Sequence, residues 1–114
     1  MLFAALALFA LAALGGLVMA GLHLGRKSIP TALALAHGTA AAAGVLLLIL
    51  SIVTGAASDT AKIALGVFLA AALGGLYLFS FQMQGKRLPT PMIFLHGSLA
   101  VIAFLLLISV AVSP

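Results

Sequence analysis

Four apolar runs, roughly Leu2 to Leu24, Thr31 to Thr54, Ala61 to Met83 and Pro91 to Val112, leave this chain little choice of fold. Each is close to the ~20 residues that an α-helix needs to cross ~30 Å of hydrocarbon. With 66% hydrophobic and only 5% charged residues, the 114-residue chain lacks the polar surface that a soluble domain of this size requires. A transmembrane barrel would show alternating segments of ~10 residues, whereas these runs are continuous and rich in Ala and Leu. The expected fold is therefore an all-α integral membrane protein, a single membrane domain over residues 1–114 with four transmembrane helices. The first run follows Met1 like a secretory leader, yet it has no basic start and is repeated internally by the third, so it is expected to remain as a mature helix.

Residues 1–55 and 60–114 are two copies of one unit, offset by 59 positions without a gap and identical at 20 of 55 pairs. The matches include Leu14-Gly15-Gly16-Leu17 with Leu73-Gly74-Gly75-Leu76, Lys27 with Lys86, Pro30-Thr31 with Pro89-Thr90, and His37-Gly38 with His96-Gly97. Shared polar positions at fixed spacing mark a duplication that composition alone does not produce. Within each unit a short basic loop ends in Pro-Thr, a sequence that restarts a helix after a tight connection. Each unit reads as a helical hairpin, and the two together as a four-helix bundle.

All basic residues except Lys62 lie in the loops 25–30 and 84–89. By the positive-inside rule both loops face the cytoplasm, with both chain ends and the Ser58-Asp59-Thr60 link outside; a bacterial inner membrane is the assumed setting. The net charge of +4 thus encodes orientation rather than an affinity for nucleic acid. Because each unit holds an even number of spans, the copies enter the membrane in the same direction, as a parallel repeat. Helices two and four then run parallel and carry His37 and His96 at equal depth, six residues or ~9 Å past the corresponding Thr. Gly15-Gly16 and Gly74-Gly75, on the oppositely directed helices, fall in nearly the same layer.

Two imidazoles and two stretches of bare backbone in one layer make a candidate site. A neutral imidazole keeps one donor and one acceptor nitrogen, and intramembrane histidine is a functional signal by default. If each Nδ1 is tied to the carbonyl one turn back, Leu33 for His37 and Met92 for His96, the two Nε2 atoms are left to converge on a metal. With helices two and four on a diagonal, their axes lie roughly 14 Å apart for neighbours ~10 Å apart. Such a gap takes a porphyrin with two axial imidazoles. On this reading His37 and His96 ligate the iron of one b-type haem, Gly15, Gly16, Gly74 and Gly75 admit the macrocycle, and Arg26, Lys27, Lys86 and Arg87 meet its propionates. Ligation by two histidines leaves no open position for a substrate, which favours electron transfer over oxygen chemistry.

A plainer reading stands beside it: histidine also hydrogen-bonds neighbouring helices, and paired glycines are ordinary sites of close packing in membrane bundles. His23, replaced by Gln82 in the second copy, reads as an interfacial or hydrogen-bonding residue. Met19, Met83 and Met92 make a copper(I) site conceivable, although Leu78 and Leu33 replace Met19 and Met92 across the repeat.

What the chain lacks narrows the function further. Without cysteine there are no disulfides, thiolate metal sites, iron–sulfur clusters or covalently attached haem. The sole carboxylate side chain is Asp59, outside the apolar runs, so carboxylate acid/base catalysis and proton-coupled transport have nothing to work with. Ser51, Ser80, Ser98 and Ser109 are scattered, as expected of hydroxyls that bond their own helix, and no enzyme activity is expected. In length and span count the chain resembles the small multidrug-resistance transporters, but it lacks the membrane-embedded glutamate on which they depend. Four helices with histidine on two of them also resemble the b-type haem domains of membrane cytochromes. That likeness implies an electron carrier whose partners are the lipid bilayer and a redox protein, a larger membrane complex or a quinone. The alternative is a cofactor-free accessory subunit of a larger complex.

Overall fold

The computed structural model describes residues 1–55 and 57–113. Four helices account for nearly all of them: α1 (Leu2–Leu24), α2 (Thr31–Thr54), α3 (Asp59–Met83) and α4 (Thr90–Ala111). All four are long and apolar enough to cross a membrane, and no strand occurs among the described residues. The chain is a multi-pass membrane protein. Leu11, Leu14, Leu17, Leu73 and Leu76 are exposed on its outer surface, where lipid supplies the apolar environment that a soluble protein finds in its core.

Local chemistry sets the helix ends. Pro30 and Pro89 occupy the N-cap positions, so α2 and α4 begin at the threonines that follow them. The third helix begins two residues before its apolar run, because the Ser58 hydroxyl accepts from the Ala61 N–H at 3.2 Å and Asp59 lies in the first turn, where a negative charge suits the helix dipole. The first and third helices end in the same Schellman turn. Lys27 N–H donates to Leu22 and Arg26 N–H to His23; 59 residues on, Lys86 donates to Phe81 and Gly85 to Gln82. The motif needs a left-handed residue, which is Gly85 (φ 66°) in the second copy but Arg26 (φ 58°) in the first, at a steric cost of roughly 1–2 kcal/mol.

The helices pack around a square in the order α1, α2, α3, α4. The sides within each hairpin are the closest, and α2 with α3 and α1 with α4 join the hairpins. Diagonal partners meet only through side chains on the central axis. Phe9 of α1 and Phe68 of α3 stack there with centroids 3.8 Å apart and planes 6° from parallel. Around them lie Ala5, Ala64, Leu48, Leu107 and Ala103, all fully buried. These positions pair off at the 59-residue offset: Ala5 with Ala64, Phe9 with Phe68, Leu48 with Leu107.

One pair breaks the symmetry. Ala103 is matched in the first copy by Gly44, and a Cβ at Gly44 would sit 2.9 Å from Phe9 Cε1. Glycine lets the Phe9 ring lie against the α2 backbone. Alanine is ordinarily favoured over glycine inside a helix by about 1 kcal/mol, but overpacking a tight contact costs typically about 1–3 kcal/mol. Gly44→Ala is therefore expected to lower the unfolding temperature in detergent, while Gly38→Ala, where the added Cβ meets nothing within 4 Å, leaves it unchanged or raises it.

Candidate functional site

About two turns from the phenylalanine stack, toward the basic loops, the other diagonal is occupied. His37 of α2 and His96 of α4 face each other with ring centroids 6.0 Å apart and planes at 79°. Both rings are half-buried, and no side chain of a third metal-ligating residue joins them: among the described residues no group of three His, Cys, Asp or Glu occurs.

Each ring is anchored by backbone, though not by the backbone its sequence position suggests. His37 Nδ1 donates to the Ala12 carbonyl at 2.7 Å, and His96 Nδ1 to the Ala71 carbonyl at 2.7 Å. The acceptors lie on the partner helix of the same hairpin, rather than at Leu33 and Met92 one turn back on the histidine's own helix. The glycines explain why. A helical carbonyl at residue i points toward residues i+3 and i+4, whose side chains normally shield its second lone pair. Residues three and four after Ala12 are Gly15 and Gly16; after Ala71 they are Gly74 and Gly75. With those side chains absent, an imidazole from the next helix reaches the oxygen.

The fit is close. A Cβ at Gly16 would come 3.2 Å from His37 Cε1, and one at Gly75 would come 3.0 Å from His96 Cε1. The niche beside each Gly-Gly pair is thus occupied by the imidazole of its own hairpin. With Nδ1 donating to a carbonyl, the lone pair of a neutral ring is on Nε2. Neither Nε2 has a hydrogen-bond partner among the described residues.

Two crossbars separate this layer from the basic loops. His23 Nε2 and Thr90 Oγ1 are hydrogen-bonded at 2.9 Å, linking α1 to α4. At the equivalent place Gln82 Nε2 donates to the Ile29 carbonyl at 2.7 Å and to Thr31 Oγ1 at 3.2 Å, linking α3 to the start of α2. His23 is buried and acts as the hydrogen-bonding residue that its position suggests. Beyond the crossbars, Arg26, Lys27, Lys86 and Arg87 line a cleft of about 340 Å³. The opposite end holds a second cleft of about 410 Å³ lined by Ser51, Ser58, Thr60, Ser109 and Ser113 among apolar side chains. Ser80 and Ser109 donate to their own helix backbones, whereas Ser51 Oγ is buried with no partner.

No protein-family model matches the chain, and neither the curated proteins nor the solved structures contain a significant match. The geometry alone therefore carries the functional argument.

Solid-state ¹⁵N NMR of the histidine-labelled protein in lipid tests the anchoring directly. Both His37 and His96 are expected as the Nδ1–H tautomer, and Gly75→Ala should shift the His96 resonances while Gly66→Ala, with open space at its Cβ, does not. An Nε2–H tautomer in either ring would overturn the assignment.

Proposed function

We propose that the imidazole pair ligates the iron of one b-type haem and that the protein carries electrons within the membrane. The observation behind this reading is the ring separation together with the anchored Nδ1 atoms. His37 and His96, which meet across the bundle axis with ring centroids 6.0 Å apart and their Nδ1 atoms tied to carbonyls, are the residues that would hold the iron. The donor set points the same way. Two histidines leave a bare ion short of ligands, whereas a porphyrin brings four nitrogens of its own.

In this reading haem supplies one reversible electron, and the chain's own residues do the rest. The Ala12 and Ala71 carbonyls fix the orientation of each ring and make Nε2 a better donor. Gly16 and Gly75 let the rings sit back against α1 and α3. The Phe9–Phe68 stack lies on one side of the imidazole pair and the crossbars on the other, where they would help keep water from a metal held there. The basic loops face the cytoplasm of a bacterial inner membrane and both chain ends face outward. The protein's partner in this reading would be a redox protein, a larger membrane complex or a quinone.

A second reading has its own support: the imidazoles already fill the glycine niches, as they would in a cofactor-free bundle that serves as an accessory subunit of a larger complex. Absorption spectroscopy separates the two. Protein purified from haem-sufficient cells should show a Soret band that is lost in His37→Ala and in His96→Ala and kept in His23→Ala. A colourless, folded preparation overturns the haem reading, and co-purification of such a preparation with a larger complex supports the second.

A further inference from the structure

The four cations between the basic loops do more than orient the chain. Orientation requires positive charge on one side of the membrane but does not require that the charges share a cavity. Here Arg26 and Lys27 from one loop and Lys86 and Arg87 from the other line a single cleft of about 340 Å³. The chain's one acidic side chain, Asp59, begins α3 at the opposite end of the bundle, so nothing in the cleft neutralises this charge. Helix dipoles do not either: two helix starts and two helix ends meet here, and their partial charges oppose one another. Four uncompensated, exposed cationic residues thus line one cleft whose volume is enough for a polyatomic anion.

Arg26 supplies a second, independent observation. It holds the left-handed position of the Schellman turn, which the other copy gives to Gly85. A strained non-glycine residue beside a cleft is the kind of outlier that marks a functional position. Its backbone conformation runs against its residue type, and what the chain keeps by placing arginine there is a guanidinium on the cleft wall. Arginine presents paired donors that match the oxygens of a phosphate group, and the lysines add point charges.

The geometry points to a phosphate-binding site in this cleft, independent of the imidazole pair and separated from it by the His23–Thr90 and Gln82–Thr31 crossbars. The ligand is a phosphate group, carried either by a free anion or by the head group of an anionic phospholipid. Its hold is electrostatic and weakens as salt is added.

The test uses the full chain in nanodiscs. In one arm, phosphatidylcholine discs are titrated with inorganic phosphate and pyrophosphate by calorimetry; in the other, native mass spectrometry counts phosphatidylglycerol retained from mixed discs. Arg26→Gly/Arg87→Gln removes two guanidiniums while giving the left-handed turn its preferred residue. Lys27→Gln/Lys86→Gln removes two charges without touching either turn dihedral, and Lys62→Gln alters a charge outside the cleft. The expected result is one phosphate group per chain, bound at least about tenfold more weakly in the arginine pair and several-fold more weakly in the lysine pair, with Lys62→Gln unchanged. Binding in the calorimetric arm identifies a free anion, and binding confined to the second arm identifies the lipid head group. Absence of binding in both arms, or equal binding in the cleft variants and Lys62→Gln, overturns the proposal. Phosphate binding and the Soret band are scored separately on the same haem-free and haem-loaded preparations, so failure of one reading does not decide the other.

Discussion

The organisation of this bundle turns on a hydrogen bond that most helices cannot offer. In a membrane a polar side chain must find its partner within the protein, and helical carbonyls are already bonded and shielded by the turn that follows them. Paired glycines remove that shield at Ala12 and Ala71, and His37 and His96 take the exposed lone pairs at 2.7 Å. Each bond is worth about 1 kcal/mol or somewhat less, too little to hold the bundle together. Its larger effect is to fix direction: it ties α2 to α1 and α4 to α3, sets the rotation of the histidine helices, and brings both rings to the axis. Everything argued about the site follows from that rotation.

Two layers on the axis each span a diagonal. The phenylalanine stack joins α1 to α3, the imidazole pair bridges α2 and α4, and below them the crossbars tie the hairpins at their edges. The alternation matters because diagonal helices do not touch backbone to backbone. Aromatic side chains are long enough to reach the centre, and an aromatic pair contributes about 0.5–1.5 kcal/mol beyond simple burial. In surroundings where apolar area confers no preference for helix over lipid, shape and hydrogen bonding decide which faces turn inward.

Much of this was legible in the residues. Four spans follow from run length, and the helix starts at Thr31 and Thr90 follow from Pro-Thr. The diagonal placement of the histidine helices required only the assumption of a square bundle, and the depth match followed from the repeat. The acceptors for Nδ1 were not foreseen, because a carbonyl is invisible in a one-letter sequence. The signal was nonetheless present: a Gly-Gly pair three and four residues after Ala12, and again after Ala71, announces an unshielded oxygen at that alanine. The Phe9–Phe68 stack was missed because a phenylalanine in an apolar run looks the same whether it faces lipid or the axis, and these helices are apolar on every side. Its position was nonetheless encoded, since Phe9 and Phe68 are an identical pair of the repeat. The basic cleft emerged only with the fold, as cationic residues about 60 positions apart in sequence came to line one cleft.

Joining the two hairpins in one polypeptide has a consequence for every position on the axis. A dimer of separate hairpins would be obliged to put identical residues on both sides, so that any change would be made twice. Fusion lifts that obligation: Gly44 can make way for Phe9 while its twin stays alanine, and His23 can stand opposite Gln82. The interior of the fused chain therefore has two halves that are free to differ.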